Sequence, residues 1–131
     1  MTIAEYCLLI ACLLPIACTG IAKWGTFGKR VSDGGYDNRD PRAWLARQQG
    51  HRARANAAQA NSFEALPLFV VAVLVAQHHE ATQSTVDQLA LAFIALRLLY
   101  IGFYVADLAA ARSLAWLGGV AACLGIFFSA A

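Results

Sequence analysis

The stretch Leu89-Ala-Leu-Ala-Phe-Ile-Ala-Leu-Arg97-Leu-Leu-Tyr-Ile-Gly-Phe-Tyr-Val-Ala106 holds eighteen residues, apolar apart from one arginine and two tyrosine hydroxyls. A helix of about this length, rising roughly 1.5 Å per residue, crosses most of the roughly 30 Å of hydrocarbon in a bilayer. A guanidinium in the middle of such a span is costly, so a chain that keeps one puts it to use.

The rest of the chain agrees with a membrane reading. Of 131 residues, 60% are hydrophobic and only 14% charged, too apolar a balance for a soluble domain of this size. Ile3–Ala22 and Leu114–Ala131 are also long enough to span. The first lacks a basic leading region, carries Glu5, and runs into Lys23-Trp24 instead of a cleavage motif, so it is expected to stay as a span and not to be removed as a secretory signal. Ala65–Ala76 is too short alone, but Pro41–Glu64 before it is rich in alanine and holds only Gly50 as a breaker. The pattern predicts one helix over 41–77, with Pro41 in its first turn and Pro67 as a kink site. The expectation is an all-α membrane protein, a single domain over 1–131 built as a four-helix bundle with helices near 3–23, 41–77, 87–108 and 113–130.

Lys23, Lys29, Arg30, Arg39, Arg42, Arg47, Arg52 and Arg54 lie in or beside the first connection, Arg112 lies in the third, and 77–87 has no Lys or Arg. Basic loops stay on the cytoplasmic side, which predicts both termini and His78-His79 outside. That topology accounts for the basic charge without nucleic acid. Cys7, Cys12, Cys18 and Cys123 fall within the spans without ligand spacing, so they read as buried small hydrophobes, and no metal site is legible.

In the 41–77 segment, His51, Arg54, Ala58, Asn61, Glu64 and Leu68 share one helical face; in the third span Arg97, Tyr100 or Ile101, and Tyr104 share another. Counted inward from the 77–87 loop, Glu64 and Arg97 lie within about one helical turn of the same depth. This predicts a Glu64–Arg97 ion pair, because either charge alone in the membrane is heavily penalised. Such a pair serves equally as a register lock between helices or as one wall of a site. Tyr104, about 10 Å nearer the cytoplasm, and Arg112-Ser113 beyond it would complete a polar recess suited to an anionic ligand with an apolar neighbour. Gly118, Ala122 and Gly125, Gly102 and Ala106, and Ala72 and Ala76 form rows of small residues where helices can pack closely. Four helices do not readily enclose both a polar pocket and a lipid cleft, so an oligomer with sites between subunits is expected.

The string Arg54-Ala-x-x-Ala-x-x-Asn61-x-x-Glu64-x-x-Pro67-x-Phe69, with Arg97 and Tyr104 seven apart and Arg112-Ser113 before the last span, resembles the MAPEG family, the membrane-associated proteins of eicosanoid and glutathione metabolism. The likeness covers nearly the whole chain, in the manner of a bacterial-type member. It implies a homotrimer in the bacterial inner membrane, with glutathione as cosubstrate bound between subunits on the cytoplasmic side. By motif position, Asn61, Glu64, Arg97 and Tyr104 match glutathione-binding or site-supporting residues, Arg112 the arginine that stabilises the thiolate, Ser113 its neighbour, and Lys23 a base reaching the ligand's carboxylates. Arg54 joins the set that would hold the tripeptide. The implied activity is a glutathione transferase or glutathione-dependent peroxidase acting on lipophilic electrophiles.

Ala57 and Ala60 depart from the pattern, standing where the glutathione-using members usually carry basic residues, and Ser62 stands where they commonly have an acid. The loss of these charges leaves open a non-catalytic lipid-binding or scaffold member of the same fold. A small four-helix multidrug exporter is a further alternative; it needs a membrane acid free to titrate, whereas Glu64 is expected to be committed to Arg97.

Overall fold

The computed structural model describes every residue, Met1–Ala131. It is all-helical, and its element order is α1 (Ile3–Lys23), a short 3₁₀ turn (Val31–Asp33), α2 (Pro41–Ala46), α3 (Gly50–His78), α4 (Gln83–Val105) and α5 (Ala109–Phe128). Four of these, α1, α3, α4 and α5, are long and apolar enough to cross a membrane, which makes the chain an integral membrane protein.

Local sequence sets the ends. Thr2 caps α1 by accepting from the Glu5 amide at 3.2 Å, while the Glu5 carboxylate accepts from the Thr2 amide at 2.8 Å, a reciprocal arrangement that satisfies two otherwise orphaned donors. Asp87 on α4 accepts from the Ala4 amide at 2.8 Å, and Gln77 on α3 donates to Thr2 Oγ1 at 3.3 Å, so three spans are latched together at this end. Asp40 caps α2 through the Ala43 amide, with Pro41 in the first turn, where its missing N–H is not needed.

The single helix expected over 41–77 is two helices. Arg47 ends α2, and α3 begins at Gly50, whose φ of +63° suits glycine and is strained for other residues. The break lets α2 turn back under the bundle. Trp44 Nε1 donates to the Gly35 carbonyl at 2.9 Å, the Tyr36 ring meets Trp44 edge-on at 5.2 Å and Phe27 at 5.7 Å, and Trp44 and Leu45 pack on Ala22 and Ala55. Helix α3 runs on unbroken through Pro67. The last two spans begin earlier than expected, at Gln83 and Ala109, so Arg112 closes the first turn of α5 and Ser113 opens the second.

The core runs along the bundle axis. Ala4, Cys7 and Ala11 of α1 meet Phe69, Ala72 and Val73 of α3, Phe93 of α4 and Ile126 of α5, with Phe69 and Phe93 stacked at 4.0 Å. The small residues do the predicted work in part: Gly118 and Gly125 of α5 receive Leu96 and Leu89 of α4, and Ala72 and Ala76 are buried, whereas Gly102 and Ala106 face outward. Cys7, Cys18 and Cys123 are buried, but Cys12 is exposed on α1, contrary to its reading as a buried residue, because it falls off the face that α1 turns to α3.

Candidate functional site

Arg97 is buried, 2% exposed, at the centre of the bundle. Its guanidinium donates from Nη1 to Asn61 Oδ1 at 3.0 Å and from Nη2 to Ser62 Oγ at 3.1 Å, and lies 4.2 Å over the Tyr100 ring. Ser62 Oγ in turn donates to the Ala58 carbonyl at 2.8 Å, which leaves its lone pairs for the arginine. The Glu64–Arg97 ion pair does not form. Glu64 lies on the exposed side of α3 and accepts from Asn61 Nδ2 at 3.1 Å, so the amide stands between the two charges. Registry explains this: Ser62 is buried one residue beyond Asn61, while Glu64 is turned roughly 200° from Ser62 at 3.6 residues per turn. Hydrogen bonds to a charged donor are worth about 1.5–3 kcal/mol each, and a desolvated cation over an aromatic face about 2 kcal/mol. Neutral partners thus hold the guanidinium in place.

Asn61, Glu64 and Arg97 open onto a cavity of about 150 Å³ between α3, α4 and α5, closed by Leu68, Trp116 and Cys123. A second recess, about 400 Å³, lies toward the end carrying the basic loops and is lined by Tyr100, Tyr104, Arg112, Ser113, Trp116 and Leu117. Trp116 forms a wall of both. In the second recess the Arg112 guanidinium sits 4.3 Å over the Tyr104 ring, and Tyr104 meets Tyr100 edge-on at 5.6 Å. Two arginine–tyrosine stacks therefore follow one another along α4, Arg97 on Tyr100 and Arg112 on Tyr104. Ser113 Oγ donates to the Ala109 carbonyl at 3.1 Å. The Tyr104 hydroxyl makes no hydrogen bond within the chain and is free to donate.

The remaining sequence candidates lie apart. Lys23 Nζ donates to the Tyr36 hydroxyl at 2.9 Å and rests 4.2 Å from that ring's centre, in the aromatic cluster beneath α1. Arg54 Nε donates to the Val105 carbonyl at 3.0 Å, capping the end of α4. The chain thus gathers Asn61, Glu64, Arg97, Tyr104, Arg112 and Ser113 around two adjoining recesses and leaves Lys23 and Arg54 outside them. Sequence reasoning missed Ser62 and Trp116. Tyr100 was legible as one of two residues a turn from Arg97; Ser62 was passed over as a missing acid, though a hydroxyl one residue after Asn61 can still receive a guanidinium.

The fold and the site define a class: a four-span helical membrane protein with a cation-lined recess at one end of the bundle. The model of the MAPEG family matches residues 3–131. The chain belongs to that family. No curated protein and no solved structure matches it.

Proposed function

We propose that the protein is a membrane glutathione transferase or glutathione-dependent peroxidase for lipophilic electrophiles, working as a homotrimer whose sites lie between neighbouring subunits. One observation carries the reading: Arg112 and Tyr104 stack beside Ser113 on a recess of about 400 Å³, with no carboxylate paired to the guanidinium. A thiol with an ordinary pKa near 8.5 is mostly protonated at neutral pH, and an unpaired guanidinium in a partly desolvated recess favours the thiolate. Arg112 stabilises that charge. Tyr104, whose hydroxyl is uncommitted, is the better hydrogen-bond donor to sulfur; Ser113 must first release the Ala109 carbonyl. The thiol proton leaves to water, sulfur bonds to the electrophilic carbon, and the leaving group departs with its electron pair. With a hydroperoxide, two thiols supply two electrons and yield an alcohol, water and a disulfide. Asn61, Glu64 and Arg97 form the adjoining wall, while Lys23 and Arg54 reach the ligand from a neighbouring subunit or after exchanging their present partners.

Ultraviolet absorbance of purified protein titrated with glutathione at neutral pH tests this. A thiolate band is expected in the wild type and its loss in Arg112→Ala, with turnover falling far more than affinity. Absence of both the band and any calorimetric binding at millimolar glutathione supports the second reading, a non-catalytic lipid-binding or scaffold member. That reading draws on Ala57 and Ala60, which carry no charge, and on Lys23 and Arg54, which are engaged elsewhere. The exporter reading gains one requirement it had lacked, an intramembrane acid outside any ion pair, in Glu64; drug-driven proton flux in proteoliposomes that disappears in Glu64→Gln would speak for it.

A further inference from the structure

One buried nucleophile has no part in that chemistry and yet faces a cavity. Cys7 and Cys18 are buried and line neither of the two recesses, and Cys12 is exposed on α1, whereas Cys123 on α5 lines the cavity of about 150 Å³ between α3, α4 and α5. Glu64 and Arg97 line the same cavity. Leu68 and Trp116, which close it, are themselves 40% and 41% exposed. They form its rim, and a small apolar solute dissolved in the bilayer can pass between them without a change of fold.

The cavity can receive a ligand's charge as well as its bulk. Arg97 is 2% exposed and carries five N–H donors, of which two are paired within the chain, one with Asn61 and one with Ser62. Three remain, and donors left unpaired in an interior are costly. The Glu64 carboxylate accepts a single hydrogen bond, from Asn61, and keeps its other lone pairs. Apolar cavities of about 150 Å³ take a ring the size of benzene. Volume and polarity together therefore fit a small ring that bears one carbonyl oxygen.

We infer that Cys123 is a covalent capture site for small lipophilic α,β-unsaturated carbonyl compounds. The carbonyl oxygen meets the spare N–H groups of Arg97, which stabilise the negative charge that gathers on it during addition. Glu64 receives the thiol proton, because the thiolate is the attacking form. Sulfur then bonds to the β-carbon while the π pair of the carbon–carbon double bond moves into an enolate, and Glu64 returns the proton to the α-carbon. One S–C bond and one C–H bond replace the S–H bond and the π bond, so nothing leaves and no oxidant is needed. Asn61, Glu64 and Arg97 keep their place beside the Arg112 recess. Cys123 is the nucleophile that an electrophile finds there when no glutathione is present, and the inference stands whether or not glutathione binds.

Intact-mass spectrometry with peptide mapping tests the site, on detergent-purified protein carrying Cys12→Ser and incubated with 2-cyclohexen-1-one at neutral pH without glutathione. A single adduct is expected, mapped to Cys123 and lost in Cys123→Ser. Glu64→Gln is expected to slow its formation at least about tenfold and Glu64→Asp to restore part of the rate, a rescue that a purely structural carboxylate would not give. A maleimide bearing a pyrene ring, too large for the cavity, is expected to spare Cys123 where N-ethylmaleimide labels it. No adduct on Cys123 under conditions that label the urea-unfolded chain completely would overturn the inference. So would labelling of Cys7 and Cys18 as fast as Cys123, or a rate at Cys123 indifferent to both the Glu64 substitutions and the size of the reagent. Glutathione enters none of these measurements, so their failure leaves the transferase reading untouched, and the reverse holds equally.

Discussion

Arg97 holds its charge inside the bundle on an amide, a hydroxyl and an aromatic face. The partners differ in what their removal leaves behind. Ser62→Ala deletes an acceptor next to a buried guanidinium and is expected to destabilise by about 1.5–3 kcal/mol. Glu64→Gln changes an exposed side chain whose one hydrogen bond within the chain is to Asn61 and is expected to stay within about 0.5 kcal/mol. Thermal denaturation in detergent distinguishes them, and equal losses would return Glu64 to the role of counter-charge. A double-mutant cycle sharpens the point: Arg97 should couple to Ser62 far more strongly than to Glu64. The same residue-level logic ranks the candidate donors to sulfur. Tyr104→Phe keeps the ring under Arg112 and removes the free hydroxyl, so turnover with glutathione is expected to drop at least about tenfold with little change in KM, against a smaller drop for Ser113→Ala. Steady-state kinetics of the two variants decide the order.

Among the elements, the connection between α1 and α3 has the least legible sequence, yet it holds the edge-on aromatic cluster of Phe27, Tyr36 and Trp44. Glycines there are not equivalent. A Cβ on Gly35 would fall inside van der Waals distance of the Lys29 carbonyl, and Gly35 also presents the carbonyl that receives Trp44 Nε1. Gly35→Ala is therefore expected to loosen the Phe27, Tyr36 and Trp44 cluster and lower the melting temperature by several degrees, a loss on the order of 2 kcal/mol or more. Gly102→Ala meets open space on an exposed helix face and should be neutral or slightly stabilising in the isolated protomer, since alanine is the better helix former. Near-ultraviolet circular dichroism with melting curves checks both. The apolar spans were legible because length and the near absence of charge are enough to define a membrane helix. The break before Gly50 was not, because a lone glycine in an alanine-rich run is also tolerated within a helix, and only the docking of Trp44 and Leu45 under the bundle favours the bend. Legibility of the site divides in the same way. Arg97, Asn61, Tyr104 and Arg112 declared themselves by polarity in apolar surroundings, while Trp116 is an apolar residue in an apolar helix and its position between two recesses exists only in three dimensions.

At the scale of the whole molecule, the chain presents much apolar surface around its polar recesses. Phe63, Leu68 and Val71 on α3 and Trp116 and Leu117 on α5 are exposed beside the recesses, and the small residues Gly102 of α4 and Ala106 just after it face outward. Lipid can cover such faces, but it cannot bring Lys23 to the Arg112 recess, from which the Tyr36 cluster keeps it apart within the protomer. If the proposed trimer forms with sites between subunits, Lys23 of one subunit and Arg112 of the next serve one site, and this has a consequence that no single-chain site shares. Lys23→Ala and Arg112→Ala proteins, each expected to be nearly inactive alone, can be co-expressed under separate affinity tags and purified through both. A site confined to one protomer stays broken in every mixed assembly, because each subunit carries one of the two lesions. A shared site is whole wherever an intact Lys23 meets an intact Arg112, which in any trimer holding both variants is one junction of the three, about a third of the sites. Recovery of about that fraction of wild-type glutathione turnover in the doubly purified sample is the expected outcome, whereas turnover no higher than that of the separate variants would confine the chemistry to a single subunit and remove Lys23 from it.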